Sequence, residues 1–115
     1  MKICIDQNLS RHIRELLPAH EVRHAKELGW DRLTNGELLA AAEAADFDVL
    51  LTADQNIPWQ NRMDGRRIAV LILSLNRWPT IEREAHSLMA ALRDRTRRMP
   101  LLDLSEATTS PLAAA

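Results

Sequence analysis

Three short runs in this chain carry no charged or strongly polar side chain: Ile3-Cys4-Ile5, Val49-Leu50-Leu51 and Ile68-Ala69-Val70-Leu71-Ile72-Leu73. A strand with one wet face alternates apolar and polar residues. A strand covered on both faces reads as a continuous apolar run instead. Helix-like stretches separate these runs, and such alternation implies crossover connections and a mostly parallel sheet between helical layers. The expected fold is α/β, a three-layer α/β/α sandwich around a central mostly parallel sheet. A length of 115 residues suits one domain with one core.

The remaining elements fall between the runs. Lys2 to Asp6 is the first strand. Leu9, Ile13, Leu16 and Leu17 recur at helical spacing after a cap at Asn8 or Ser10, and Pro18 ends that helix. His20 to His24 is a weaker strand. Ala25 to Gly29 reads as a helical turn closed by Gly29, and Trp30 to Asn35 as a loop. Thr34 starts a helix through about Ala45. Asp48 to Thr52 is the next strand, followed by a polar loop, Ala53 to Gly65, with a helical turn after Pro58. Pro79 suits the first turn of a later helix. That helix is expected to run to about Arg97 on a stripe of Ile81, Ala85, Leu88, Met89 and Leu92. Pro100 to Leu104 is the last, edge strand.

Composition excludes several classes. The composition, 46% hydrophobic and 27% charged, argues against disorder. The single cysteine, Cys4, cannot form an internal disulfide and reads as a small core residue. No apolar run has the length of a membrane span, and the chain enters a strand-like run without a signal peptide. A cytoplasmic location and no membrane partner are therefore expected. His12, His20, His24 and His86 lack zinc-ligand spacing. Gly29, Gly36 and Gly65 stand too far apart for a phosphate loop. Net charge is −1, but the sign changes along the chain. Asp31 to Asp54 holds six acids and one Arg; Arg62 to Arg98 holds nine Arg and four acids. Thirteen of the fifteen basic residues are Arg, whose planar fork suits phosphate. That pattern fits a nucleic-acid surface or a solvated face laced with salt bridges.

Three acids occupy positions where chemistry is done in such folds. Asp6 ends the first apolar run, Asp54 follows the third strand, and Glu37 opens a helix. Ligands of open α/β sheets bind outside the carboxyl ends of the strands. Three carboxylates meeting there repel each other unless a cation neutralises them. Oxygen donors suit Mg²⁺ or Mn²⁺, ions that activate water and clamp a phosphodiester for in-line attack. Each acid also has a plain structural reading. Asp6 can accept turn N–H groups, Asp54 can form an Asx-turn, and Glu37 can close a capping box with Thr34. On the first reading, Asp6→Asn or Asp54→Asn relieves repulsion and leaves the metal-free protein as stable as before or more so.

Asp6 after strand one, Leu-Thr-Asn-Gly-Glu37-Leu-Leu opening a helix, and Leu-Leu-Thr-Ala-Asp54-Gln-Asn after a later strand resemble the PIN-like domain family. The nearest likeness is to its small bacterial proteins of toxin–antitoxin type. The resemblance runs from Lys2 to about Leu104, and the block around Asp54, with Asn56, Pro58, Trp59 and Gln60, is its most specific part. It implies a PIN-like domain over residues 1–105 and a flexible tail over residues 106–115. It implies Asp6, Glu37 and Asp54 as metal-binding and catalytic acids. The implied activity is Mg²⁺- or Mn²⁺-dependent RNA cleavage, with a small antitoxin protein as partner and a homodimer as a further expectation. Asn8, Arg11, Asn56, Trp59, Arg62, Arg66 and Arg67 are the candidate RNA contacts; Trp59 can stack on a base or be buried against the sheet edge, and Arg62, Arg66 and Arg67 can hold phosphates beside the site. The chain departs from the family pattern at Gln7, where relatives often carry Glu. It departs again after Ile68 to Leu73, where Ser74 and Asn76 stand and a fourth acid is usual. Fewer acids imply weaker metal binding.

Two other functions compete. One is a receiver-like signalling domain phosphorylated on Asp54. It needs an acidic pair after strand one, which Gln7 breaks, and a Lys at the end of the last strand, which Pro100 to Ser105 lacks. The other is a catalytically degenerate PIN-like module that only binds a partner.

Overall fold

The computed structural model describes residues 1–54 and 66–93, and the backbone of Leu101–Leu102. In chain order its elements are β1 (Lys2–Ile5), a 3-10 helix (Arg11–Leu16), β2 (Glu21–His24), α1 (Asn35–Ala44), β3 (Val49–Thr52), β4 (Ala69–Leu73), α2 (Trp78–Arg83), α3 (Ala85–Arg93) and β5 (Leu101–Leu102). The strands form one sheet in the order β2-β1-β3-β4-β5. Every neighbouring pair is parallel. The α/β sandwich read from the sequence is therefore the fold. The expected turn after Pro58 and the tail at residues 106–115 lie outside the described residues.

The apolar runs are continuous because the sheet is covered twice. Side chains alternate across a strand, and the two sets fall into separate cores. Ile3, Ile5, Val49, Leu51, Leu71 and Leu73 pack with Leu9, Ile13, Ile81, Leu88 and Leu92, under the 3-10 helix, α2 and α3. Cys4, Leu50, Val70 and Ile72 pack with Leu38, Leu39 and Ala42 of α1. Leu50 and Leu51 are both fully buried on opposite faces, and each such side chain contributes about 1.5–3 kcal/mol by leaving water.

Local chemistry sets the element ends. Gly29 has φ +74°, a left-handed conformation that glycine adopts without the Cβ clash, and it ends the turn after β2. Ser10 caps the 3-10 helix by accepting the His12 N–H. The helix expected between Ser10 and Pro18 is a 3-10 rather than an α-helix, with Ile13 N–H bonded to Ser10 O and Leu17 N–H to Arg14 O. The stretch is short enough for the tighter bonding pattern, and Leu9, Ile13 and Leu17 still reach the core.

The long helix expected from Pro79 is two helices. At Glu84, between α2 and α3, one N–H is shared between Thr80 O at 3.0 Å and Ile81 O at 3.2 Å, the tightened last turn of a helix. No Gly or Pro marks this break. The apolar stripe survives it, because Ile81, Leu88 and Leu92 remain in one core. The break lets α2 pack on the 3-10 helix while α3 reaches β5. The expected extension to Arg97 passes outside the described residues.

Candidate functional site

The sheet's alternation decides which acids share a face. Asp6 follows β1 in phase with Cys4, and Thr52 closes β3 in phase with Leu50, so both belong to the α1 side. Asp6 continues the ladder, its N–H donating to Leu51 O at 2.9 Å. The residue is 6% exposed, and each carboxylate oxygen accepts one hydrogen bond. Oδ1 accepts the Gln7 N–H at 2.7 Å, and Oδ2 accepts the Thr52 hydroxyl at 2.7 Å. A buried carboxylate without such donors would be costly.

Thr52 has no exposed surface, and its hydroxyl serves two residues. It gives its one proton to Asp6, and its oxygen accepts the Asp54 N–H at 3.1 Å. The polarity of this chain is fixed, since a carboxylate can only accept and a backbone N–H can only donate. Asp54 Oδ2 in turn accepts Asn35 Nδ2 at 3.1 Å. Asn35 is the first residue of α1, so this bond ties the helix start to the end of β3.

Glu37 lies in the same first turn of α1 but faces its own cap. Its Oε1 accepts the Thr34 N–H at 2.9 Å, and its N–H donates to Thr34 Oγ1 at 3.3 Å. The Thr34 N–H, aided by the Thr34 side chain, holds the Glu37 carboxyl below the usual range. The capping box read from Thr34-x-x-Glu37 is thus present. Among the described residues no three of His, Cys, Asp or Glu stand together as a metal-holding group. The three acids are therefore not one cluster: Thr52 joins Asp6 to Asp54, and Glu37 remains on the helix cap.

Cys4 lies one strand step inside Asp6. Burial first, and then the Asp6 charge, pushes its thiol up to about 12. It stays protonated, as its reading as a core residue requires.

The candidate RNA contacts separate. Asn8 and Arg11 are exposed beside the turn after β1. The Asn8 carbonyl accepts Asn76 Nδ2 at 3.2 Å, which draws the loop after β4 toward Asp6. Arg66 and Arg67 are a correction to the expectation that they flank the acids. They precede β4 and so lie at the opposite edge of a parallel sheet, whose strands span about 13 Å over four residues. There Glu43 of α1 binds Arg66 at 3.1 Å and accepts the Arg67 N–H at 2.6 Å. Asn56, Trp59 and Arg62 lie outside the described residues.

Sequence reasoning missed Thr52, Asn35 and Asn76. Thr52 carried half a signal, a hydroxyl closing an apolar strand, but its alignment with Asp6 depends on a strand pairing the sequence does not display. Asn35 and Asn76 carried none, because their contacts cross loops.

His24 was read only as a poor zinc ligand and has a structural task. It is 2% exposed. Its Nε2 bonds Leu9 O at 2.8 Å, and its Nδ1 bonds the Lys26 N–H at 3.2 Å. A carbonyl only accepts and an amide N–H only donates, so the neutral ring carries its proton on Nε2.

No family model, curated protein or solved structure matches this chain. No helix among the described residues is long and apolar enough to cross a membrane.

Proposed function

We propose that this chain is a metal-dependent ribonuclease of PIN-like type, hydrolysing RNA phosphodiesters beside Asp6 and Asp54 as the toxin of a toxin–antitoxin pair. The carrying observation is the Asp6–Thr52–Asp54 chain at the carboxyl edge of β1 and β3, where open α/β sheets bind ligands. The donor chemistry of these two residues fits a hard divalent cation. Each Asp6 oxygen accepts one hydrogen bond and has a second lone pair, and both residues offer the anionic oxygens such ions take. Glu37, whose Oε1 is bonded to the Thr34 N–H, would be the third donor. When bound, Mg²⁺ or Mn²⁺ supplies an activated water and neutralises charge at the phosphodiester.

The protein's own part is orientation. Thr52 fixes Asp6 Oδ2 by donation, and the Gln7 N–H fixes Oδ1. Asn35 orients Asp54 Oδ2. Gln7, neutral where a carboxylate would repel, leaves the approach to Asp6 open to an anionic strand. A small antitoxin protein is the proposed partner, and this rests on the resemblance alone.

The test is cleavage of a mixed RNA pool by the purified protein in Mn²⁺, in Mg²⁺ and in chelator, beside Asp6→Asn. Metal-dependent cleavage that the variant loses is the expected result. No cleavage together with no calorimetric Mn²⁺ binding would overturn it. One observation favours a second reading, a non-catalytic binding module: Glu37 is committed to its cap. That outcome is the one this reading expects, and capture of a protein partner would support it.

A further inference from the structure

We infer that the groove beside Asp6 on the β2 side is a track for the backbone of single-stranded RNA, with Arg11 and Lys26 gripping successive phosphates. This deepens the nuclease reading and rests on it for the fate of the bound strand, though not for the binding.

The groove has a volume of about 520 Å³ and runs between the turn after β1 and the turn after β2. Pockets for whole organic ligands begin at about 300 Å³, so it holds more than a free phosphate ion. Gln7 lines it and is the chain neighbour of Asp6. Ser10, Arg11 and Lys26 also line it, and no carboxylate does. Of the acids around it, Glu27 pairs with Arg14, Glu15 bonds the groove-lining His12, and Asp6 accepts the Gln7 N–H and the Thr52 hydroxyl. Arg11 and Lys26 have no ion-pair partner among the described residues. The charged side chains that line the groove, Arg11 and Lys26, are thus both positive in a chain of net charge −1.

Its donors match phosphate oxygens. Arg11 offers a planar fork, and Lys26 a point charge. Ser10 Oγ accepts the His12 N–H, which leaves its own proton to donate. Gln7 adds amide donors. The walls are set at a fixed spacing by His24, which bonds Leu9 O on one side and the Lys26 N–H on the other. The ring of His12, which lines the groove, lies 5.5 Å from Trp78 at 39°. An exposed ring of this kind stacks on a base, a contact that inorganic phosphate cannot use.

The test is fluorescence anisotropy of a short labelled single-stranded RNA of mixed sequence, titrated in chelator so that nothing is cleaved. Arg11→Ala combined with Lys26→Ala is expected to weaken binding at least about ten-fold, and to flatten the salt dependence by about 1.4 in log–log slope, the share of two phosphates on a single strand. Lys26→Arg should keep the slope. Both residues are exposed, so thermal melts should match wild type and exclude misfolding. Wild-type protein that does not bind RNA, or a double variant with an unchanged slope, would overturn the track. So would inorganic phosphate or an acidic peptide displacing RNA as well as unlabelled RNA does. Cleavage in Mn²⁺ separates the two ideas. Binding through Arg11 and Lys26 without cleavage keeps the track and removes the ribonuclease. Cleavage with the same KM in the double variant does the reverse.

Discussion

The hydroxyl of Thr52 donates to Asp6 Oδ2 at 2.7 Å, joining two residues 46 positions apart in the chain. Both are buried. Thr52→Val keeps the shape but strips a buried carboxylate of a donor and leaves the Asp54 N–H without its acceptor. Urea denaturation is expected to show a loss of about 1–3 kcal/mol. Thr52→Ser should recover most of it. A Val variant as stable as wild type would show that the chain holds nothing in place.

Asp6→Asn and Asp54→Asn should differ without metal. Asp6 accepts bonds on both oxygens, and an amide can keep only one of them, so Asp6→Asn is expected to cost about 1–3 kcal/mol. The relief of repulsion expected from the sequence is outweighed there. Asp54 is half-buried and should tolerate Asn better. On the proposed function, Mn²⁺ at a hundred times its Kd should stabilise wild type by about 2.7 kcal/mol and leave Asp6→Asn unchanged. Equal metal shifts in both proteins, read by thermal melts, would remove Asp6 from the site.

Acid should loosen the fold through glutamates at its joints. The Arg67 N–H above all, then the Ile68 N–H and the Arg66 guanidinium, hold the Glu43 carboxyl below its usual range. The Thr34 N–H does the same for Glu37, and Arg14 for Glu27. A folded-state value below the unfolded one contributes stability that is complete above the unfolded value. It is lost as pH falls through the folded value. Chemical denaturation from pH 6 down to about pH 3 should therefore show falling stability. Glu43→Gln should be less stable at neutral pH and show a shallower decline. A parallel decline would place the titration elsewhere.

His24 offers a spectroscopic check on the groove wall. Long-range ¹H–¹⁵N correlation of the imidazole should show the proton on Nε2 and a bare Nδ1. The opposite tautomer is incompatible with its contacts to Leu9 and Lys26.

The sheet was legible because continuous apolar runs have one economical explanation, burial on two faces; Ile68 to Leu73 is split cleanly between the two cores. The capping box was legible because it is local: Thr34 and Glu37 find each other within one turn. The break at Glu84 was not, since Ile81, Leu88 and Leu92 lie on one stripe whether or not the helix is continuous. The same limit applied to the candidate site. Asp6 and Asp54 stood out as acids after apolar strands, but the pairing of β1 with β3 that aligns Thr52 with Asp6 is a non-local fact. Arg66 and Arg67 were misplaced for a related reason: nearness to Asp54 in sequence hid that they enter the next strand at its far end.

Because β1 lies inside the sheet between β2 and β3, this candidate site has a birth order. During vectorial synthesis the first strand must wait for residues 49–51 before its inner edge is closed. Until then Asp6 has neither Thr52 nor Asp54 as company. On the proposed function, a nascent chain halted before β3 should carry no metal-dependent activity, and the site would open only once the third strand emerged.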